Sequence, residues 1–551
     1  MPTVVRHNYR ALKWVLGGLL LAMVALGAAI FVAWRHAEPV LRAEVVKQIQ
    51  DRFHARVELD KFQLSLAHGL SVEGKGLRIW PSQPEGAQAA NLPNQWPQIR
   101  PLIQLDEFRF RAPLHWRPGA PIRIPLLALK GLHIDIPPKD QFARRFSREP
   151  GEESHSPAVR FEVDNIACTD AHLTIETDKP GKLPLEFTIV HLKLTDRHAD
   201  GSMQYNAQLT NPRPAGEIFT TGRIGPWTVE DPGQTPLDGS YRFEHADLGV
   251  FKGIAGILHS TGKYQGILRN LTVDGETDTP DFRLTKFGTA MPLHTAFHAY
   301  VDGTNGDTDL EPVNAMLGQT SFVAEGKVVH VPPGTAPNGK PTPGGHNIAL
   351  HVTVNGGHME DFLRLTSKTG TPLLTGTVMV KAFLEIPPGP APVDEKLKLK
   401  GNFMLTDTQF TSPKIQEKLC DLSWRGQGKS EGAKQNEIAD VSSSMKSDFT
   451  MARAVITLPD LQYTVPGAEI DLAGTYGVRG GVLNFNGTAR TDATISQMVG
   501  GWKGDLLKPA DRFFKKGGAG AEVPIRVAGT RDDPKFGIDL GRFKHTSPQI
   551  P

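Results

Sequence analysis

Residues 374–386 read LTGTVMVKAFLEI, and their alternation decides the fold. Val378 and Val380 fall on one face, because successive side chains of a strand point to opposite sides. A half-buried antiparallel sheet has this period of two. Working outward, NIALHVTVNG at 347–356 and KLKLKGNFML at 396–405 carry the pattern on either side. KVVHV at 327–331, LTVDG at 271–275, SMQYNAQLT at 202–210 and FTIVHLKL at 187–194 extend it toward the N-terminus. Farther back, Phe62, Leu64 and Leu66 alternate with Gln63 and Ser65, and Leu70, Val72, Leu77 and Ile79 resume beyond a turn near Gly69.

One phrase recurs. ALKGLHIDI at 128–136 resembles VEGKGLRIW at 72–80, and VDNIACTDAHLTIE at 163–176 repeats the idea at greater length. Each is an apolar strand, a small or turn residue and a second alternating strand, a repetition too loose for a fixed-period solenoid.

The expected fold is therefore mainly β, a long antiparallel sheet with a few short helices. At about 16 residues per strand and turn the body holds some 30 strands, and one continuous sheet approaches about 140 Å. A sheet of that size curls, splits or closes. Curled, it makes an apolar groove with Leu64, Leu66, Ile134, Ile136, Val378 and Val380 as candidate lining. Several β-sandwiches in series satisfy the same alternation.

Helical signal is scarce. Val45, Ile49 and Phe53 recur at four-residue spacing with Leu41 completing the row, after Pro39 at a helix start, so a helix over 40–53 turns an apolar stripe to the sheet end, with the membrane surface as the alternative. GGHMEDFLRL around 356–365 and IQEKLCDLSWR at 415–425 are further helices, the second with Ile415, Leu419 and Leu422 on its apolar side.

Near the N-terminus, WVLGGLLLAMVALGAAIFVAW at 14–34 carries no charge. As a helix at about 1.5 Å per residue it reaches about 30 Å, the thickness of a bilayer core. Arg6, Arg10 and Lys13 precede it, which puts a short N-terminus in the cytoplasm and the body on the far side. A cleaved signal peptide is the competing reading, and the bulky Ile30, Phe31 and Trp34 speak against it. The expected division is a cytoplasmic 1–13, a transmembrane helix at 14–34, an N-terminal β region at 35–270, a central one at 271–465 and a C-terminal one at 466–551.

Composition narrows the chemistry. A net charge of +2, from 61 Lys and Arg against 59 Asp and Glu, gives no field to gather nucleic acid. The 2 cysteines, Cys168 and Cys420, form no metal spacing and read as buried free thiols. No GxSxG, HExxH, Walker or GxGxxG pattern stands in a context that gives it chemistry, so no enzyme, cofactor or metal is expected. His294 and His298 share a spacing that gathers ligands only on a helix, and TAFHAYV reads as strand. DGTNGDTDLE at 302–311 lacks the ligand order of a calcium loop and reads as a turn.

GWKGDLLKPADRFFKKGGAGAEVPIRV at 501–527 is different. Leu506, Leu507, Phe513 and Phe514 stand among Lys508, Arg512, Lys515 and Lys516, a combination suited to an anionic membrane. The alternative is a connecting segment packed over the sheet end, with Pro509 breaking any continuous helix.

The order of these features resembles the AsmA-like family of bacterial inner-membrane proteins. The resemblance rests on the uncharged stretch, QIQDRFHARVELDKFQLSL followed by SVEGKGLRI, and the closing PGAEIDLAGTYGVRGGVLNFNGTARTDA (466–493) and GAEVPIRVAGTRDDPKFGIDL (520–540). It covers nearly the whole chain, without one highly specific motif. It implies kinship with bridge-like lipid-transfer proteins: a single-pass inner-membrane anchor, a periplasmic β-groove sheltering acyl chains, and phospholipid or glycolipid partners moving toward the outer membrane. Outer-membrane or periplasmic protein partners are the further implication, and a scaffold for outer-membrane protein assembly is the rival function.

Overall fold

The computed structural model describes residues 39, 42–47, 49–50, 55–65, 70–80, 101–112, 122–136, 161–176, 184–228, 231–285, 289–335, 341–365, 372–429, 441–515, 520–531 and 533–538. In chain order the strands are β1 (Arg56–Ser65), β2 (Leu70–Trp80), β3 (Ile103–Ala112), β4 (Ile122–Ile124), β5 (Leu127–Ile136), β6 (Phe161–Val163), β7 (Ile166–Ile175), β8 (Leu185–Thr195), β9 (Met203–Pro212) and β10 (Ala215–Ile224). Then come β11 (Pro236–Asp247), β12 (Ile254–Ala255), β13 (Ile257–Ile267), β14 (Asn270–Leu284), β15 (Met291–Val301), β16 (Thr308–Leu317), β17 (Thr320–Val331), β18 (Gly334–Thr335) and β19 (Pro341–Thr342). The last are β20 (Gly345–His358), β21 (Leu374–Ile386), β22 (Lys398–Phe410), β23 (Ser444–Ala452), β24 (Val455–Val465), β25 (Ala468–Gly477), β26 (Val482–Thr491), β27 (Ala521–Thr530) and β28 (Pro534–Ile538). Besides a helical stretch over 42–47, the α-helices among the described residues are α1 (Met359–Arg364), α2 (Val393–Lys396), α3 (Pro413–Gly426), α4 (Ile495–Val499), α5 (Gly501–Leu507) and α6 (Asp511–Phe514).

The chain forms two compact units, one of Met1–Glu176, Glu186–Gln208 and Arg223–Thr235, the other of Thr177–Leu185, Leu209–Gly222 and Pro236–Pro551. In the first, β1, β2, β3 and β5 pair antiparallel in succession. Val57, Leu59, Phe62, Val72, Leu77 and Phe108 are part of its buried core. Residues 42–47 are helical, and Val45, Val46 and Ile49 pack against that core, as the apolar stripe predicts. An all-antiparallel sheet is not what forms, however. β7 joins β5 in parallel, Leu129 opposite Cys168 and Ile134 opposite Leu173, and β4 pairs with β6 in parallel too. A parallel neighbour needs a long return, and the stretch between β5 and β6 supplies it.

The recurring phrase has a structural basis. Gly76 in β2 and Gly131 in β5 adopt φ of +68° and +66°. A Cβ at either would meet a carboxylate one strand earlier, at 2.2 Å from Asp60 Oδ2 or 2.3 Å from Asp106 Oδ2. LDKF (59–62) before KGL and LDEF (105–108) before KGL are thus one device used twice, and Asp170 (φ +56°) takes the glycine's place in the third copy. Gly131→Ala should cost about 1–3 kcal/mol from left-handed backbone strain. The check is the urea midpoint of the purified protein, and an unchanged midpoint would contradict the steric assignment.

The expected transmembrane helix, and with it the single-pass inner-membrane placement, is corrected. No helix among the described residues is long and apolar enough to cross a membrane. The longest helix among the described residues, α3, has 14 residues. That is about 21 Å, short of a bilayer core, and α3 is two-sided rather than uniformly apolar. Residues 14–34 themselves lie outside the described residues.

In the second unit the pairing runs β11–β13–β14–β15–β16–β17–β20–β21–β22–β23–β24–β25–β26–β27–β28, every pair antiparallel. The short β12 pairs with the end of β14. Val393 N–H, in the connection between β21 and β22, donates to Lys252 O, just before β12, at 2.8 Å. Laid flat, β12 and β21 would stand six strand spacings apart, about 29 Å. Their rotation over those spacings is about 120–150°, so the hydrogen bond exists because the sheet coils. Register shifts between Thr279 and Phe282, Phe297 and Ala299, Leu310 and Val313, Asn355 and Gly357, and Thr375 and Thr377 add the local twist that coiling requires.

α2 fastens the coil. The carboxylate of Asp394 is 5% exposed and accepts from Arg479 Nη2 at 2.5 Å, while Glu395 meets the same nitrogen at 2.8 Å. Arg479 lies in the turn between β25 and β26, so a short helix ties the lead-in to β12, the β21–β22 connection and that turn together.

Candidate functional site

The second unit's sheet is curved and presents a groove-like face. Its apolar side chains follow from the period of two: along β21, Val378 and Val380 share a face with Leu384, and Met379, Lys381 and Phe383 point the other way. That inner face has two zones. At one end of the strands Val354, Leu374, Val378 and Leu405 are buried, with Met359, Phe362 and Leu363 of α1 packed on them. α1 is held there by Asp361, itself 2% exposed, which accepts from Gln319 N and from Thr320 Oγ1, each at 2.9 Å. Farther along the same edge α3 lays Leu419 and Leu422 over Tyr463, Val465 and Ile470, as its apolar side predicts.

Toward the other end a row of apolar side chains is less deeply covered. Leu350, Leu384, Leu399 and Met451 stand opposite one another across β20 to β23. Ile456 and Tyr476 continue the row on β24 and β25. All six are only half-buried. A row of aliphatic and aromatic side chains, walled at one edge by helices and half-open along its length, is chemically a surface for an alkyl chain. None of these six side chains carries a charge.

The β11–β15 side of the sheet is of another character. The ring of Tyr241 lies over Gly262, where a Cβ would come within 2.7 Å of it, the close approach that the glycine spacing of KGIAGILHSTGKYQGIL permits. Its hydroxyl meets Ser260 Oγ at 3.1 Å, and Thr277 and Thr295 share a hydrogen bond at 2.7 Å. Hydroxyls therefore stand where aliphatic side chains stand farther along.

The candidate lining residues divide accordingly. Val378 is fully buried beneath α1, so it is core, not groove surface. Val380 is half-buried beside it, facing Phe403. In the first unit Leu64 packs against the core, and Ile134 and Ile136 are half-buried on β5. Leu66 lies outside the described residues. The Leu350–Leu399 row was missed by the sequence reading, although the alternation of LTGTVMVKAFLEI already pointed at Leu384.

The candidate membrane segment forms two helices, α5 and α6, separated near Pro509 as that proline predicts. Leu506 is 69% and Phe513 80% exposed. Leu507 and Phe514 are half-buried, Lys508, Arg512 and Lys515 are exposed, and Lys516 lies outside the described residues. Asp511 fastens α6 to α4, accepting Ser496 N–H at 2.9 Å and its hydroxyl at 2.6 Å. The Ser496 hydroxyl holds this carboxyl below the usual range. The fastening is therefore complete at neutral pH and lost only as acid protonates Asp511 in the folded state.

Other groups singled out by sequence prove architectural. His294 and His298 sit on β15 and pair separately, with Asp278 at 2.8 Å and Asp274 at 2.7 Å. Asp302 accepts from Thr304 N at 2.9 Å and from Asn305 Nδ2 at 2.7 Å, so the acidic loop is a self-bonded turn. Cys168 and Cys420 are buried free thiols, and burial pushes Cys168 up to about 11, with Asp170 adding to it. Glu217, Glu244 and His245 bring one ligand atom each within 4.8 Å of one another, a cluster that sequence spacing did not reveal. Arg242 Nε donates to Glu244 at 2.6 Å, so a cation already faces one of the two carboxylates.

No protein-family model matches the chain, and neither a curated protein nor a solved structure matches it.

Proposed function

We propose that the protein binds the acyl chains of phospholipid or glycolipid along the inner face of the second unit's sheet and carries lipid between membranes, without catalysis. The half-buried row running from Leu350 through Leu384, Leu399 and Met451 carries this reading. Each methylene that leaves water gains about 0.8 kcal/mol, so a chain of ordinary length has strong reason to lie on such a row. A face half-open along its length lets cargo enter sideways, where a closed pocket would not. The order of sequence features that resembles the AsmA-like family supports the same reading, and membership of that family is part of the proposal.

Titration with a fluorescent fatty-acyl probe tests it. The expected result is saturable binding, with unlabelled phospholipid displacing the probe. Absence of saturable binding by the folded protein would leave the assembly-scaffold function as the better account.

A further inference from the structure

We propose that the helical cap formed by residues 501–515 docks on an anionic membrane surface. Phe513 and Leu506 are the two most exposed large hydrophobic side chains among the described residues. They project from separate short helices, α6 and α5, with a proline-containing turn between them. A protein pocket would have to fit both tips in one fixed arrangement. A lipid interface accepts each tip wherever it falls, since acyl chains and headgroups rearrange around it.

Charge selects the kind of interface. The segment carries Lys503, Lys508, Arg512 and Lys515 against Asp505 and Asp511, a net of +2. Both acids are engaged: Asp511 accepts from Ser496 of α4, and Asp505 lies 2.8 Å from Lys508. Arg512 and Lys515 flank Phe513 and are themselves exposed. Aromatic tips at the headgroup boundary with ammonium and guanidinium groups at the phosphates is the arrangement by which amphipathic segments hold anionic bilayers. The cap is also fixed in place, because the Thr494 capping box opens α4 and Asp511 binds α6 to it. Docking would bring the end of β27 to a bilayer, and it gains its purpose from the lipid-binding reading above.

The test uses the full chain with one environment-sensitive nitrobenzoxadiazole label at Phe513→Cys. A parallel label goes at Leu506→Cys and a control at Ser321→Cys, an exposed position on β17; Cys168 and Cys420 are buried. A label at 513 or 506 should shift to the blue and become shielded from iodide with phosphatidylcholine vesicles containing phosphatidylglycerol. It should do so far less with phosphatidylcholine alone, and the control label should not respond. Changing Lys503, Lys508, Arg512 and Lys515 to Gln should raise the half-saturating vesicle concentration about 100-fold or more. Labels at 513 and 506 that stay open to iodide on both vesicle types would overturn the proposal. So would an equal response on both, or in the four-Gln variant. Because label and acyl probe report separately, loss of the label response with probe binding intact defeats docking alone, and the converse defeats the groove alone.

Discussion

Val378→Asp should abolish the folded second unit, whereas Met379→Asp, one residue along, should leave it intact. Val378 is fully buried beneath α1, and Met379 is 41% exposed on the opposite face. A carboxylate at 378 loses the valine's burial and leaves a desolvated charge with no partner in that cluster. Together these cost at least about 5 kcal/mol, of the order of an ordinary domain's whole stability. Circular dichroism on heating is the check. A cooperative transition near that of wild type for Val378→Asp would mean that α1 does not cover the strand.

The second large effect is on binding. The double variant Leu384→Glu, Leu399→Glu should stay folded yet lose the acyl probe, with affinity down about 100-fold or more. Both positions are half-buried and face each other across β21 and β22, so their carboxylates keep access to water. Laid against an alkyl chain, each would have to be desolvated or would deny the chain several methylene contacts, about 0.8 kcal/mol apiece. Substituting Lys381 and Lys400 on the other face by Glu should leave probe affinity within about twofold, since surface changes of that kind act weakly. Retained binding by the folded Leu384→Glu, Leu399→Glu protein would place the lipid elsewhere.

Much of this was legible in the chain. The period of two placed Val378 and Val380 on one face, and the spacing of Ile415, Leu419 and Leu422 foretold the side of α3 that packs down. Local patterns read well because they depend on neighbours along the sequence. What escaped depends on distant partners. The burial of Val378 follows from Asp361 hooking α1 onto the Gln319–Thr320 turn, a contact 41 residues apart that no periodicity reports. The parallel pairing of β5 with β7 turns on where the intervening stretch returns the chain. The coil of the sheet is fastened by Lys252 with Val393 and by Asp394 with Arg479, pairs whose members look like ordinary loop residues. The transmembrane reading of 14–34 rests on its uncharged length and the basic residues before it, and no described helix bears it out.

The central claim is that lipid lies on the inner face of the second unit's sheet and not merely near it. Photo-crosslinking tests this most directly, with benzoylphenylalanine placed at Leu384 on the inner face or at Lys381 on the outer face of the same strand. The protein is illuminated with phospholipid present and its intact mass measured. A phospholipid-mass adduct at 384 and none at 381 is the predicted result; equal labelling at both, or none at 384 in folded protein, would contradict it.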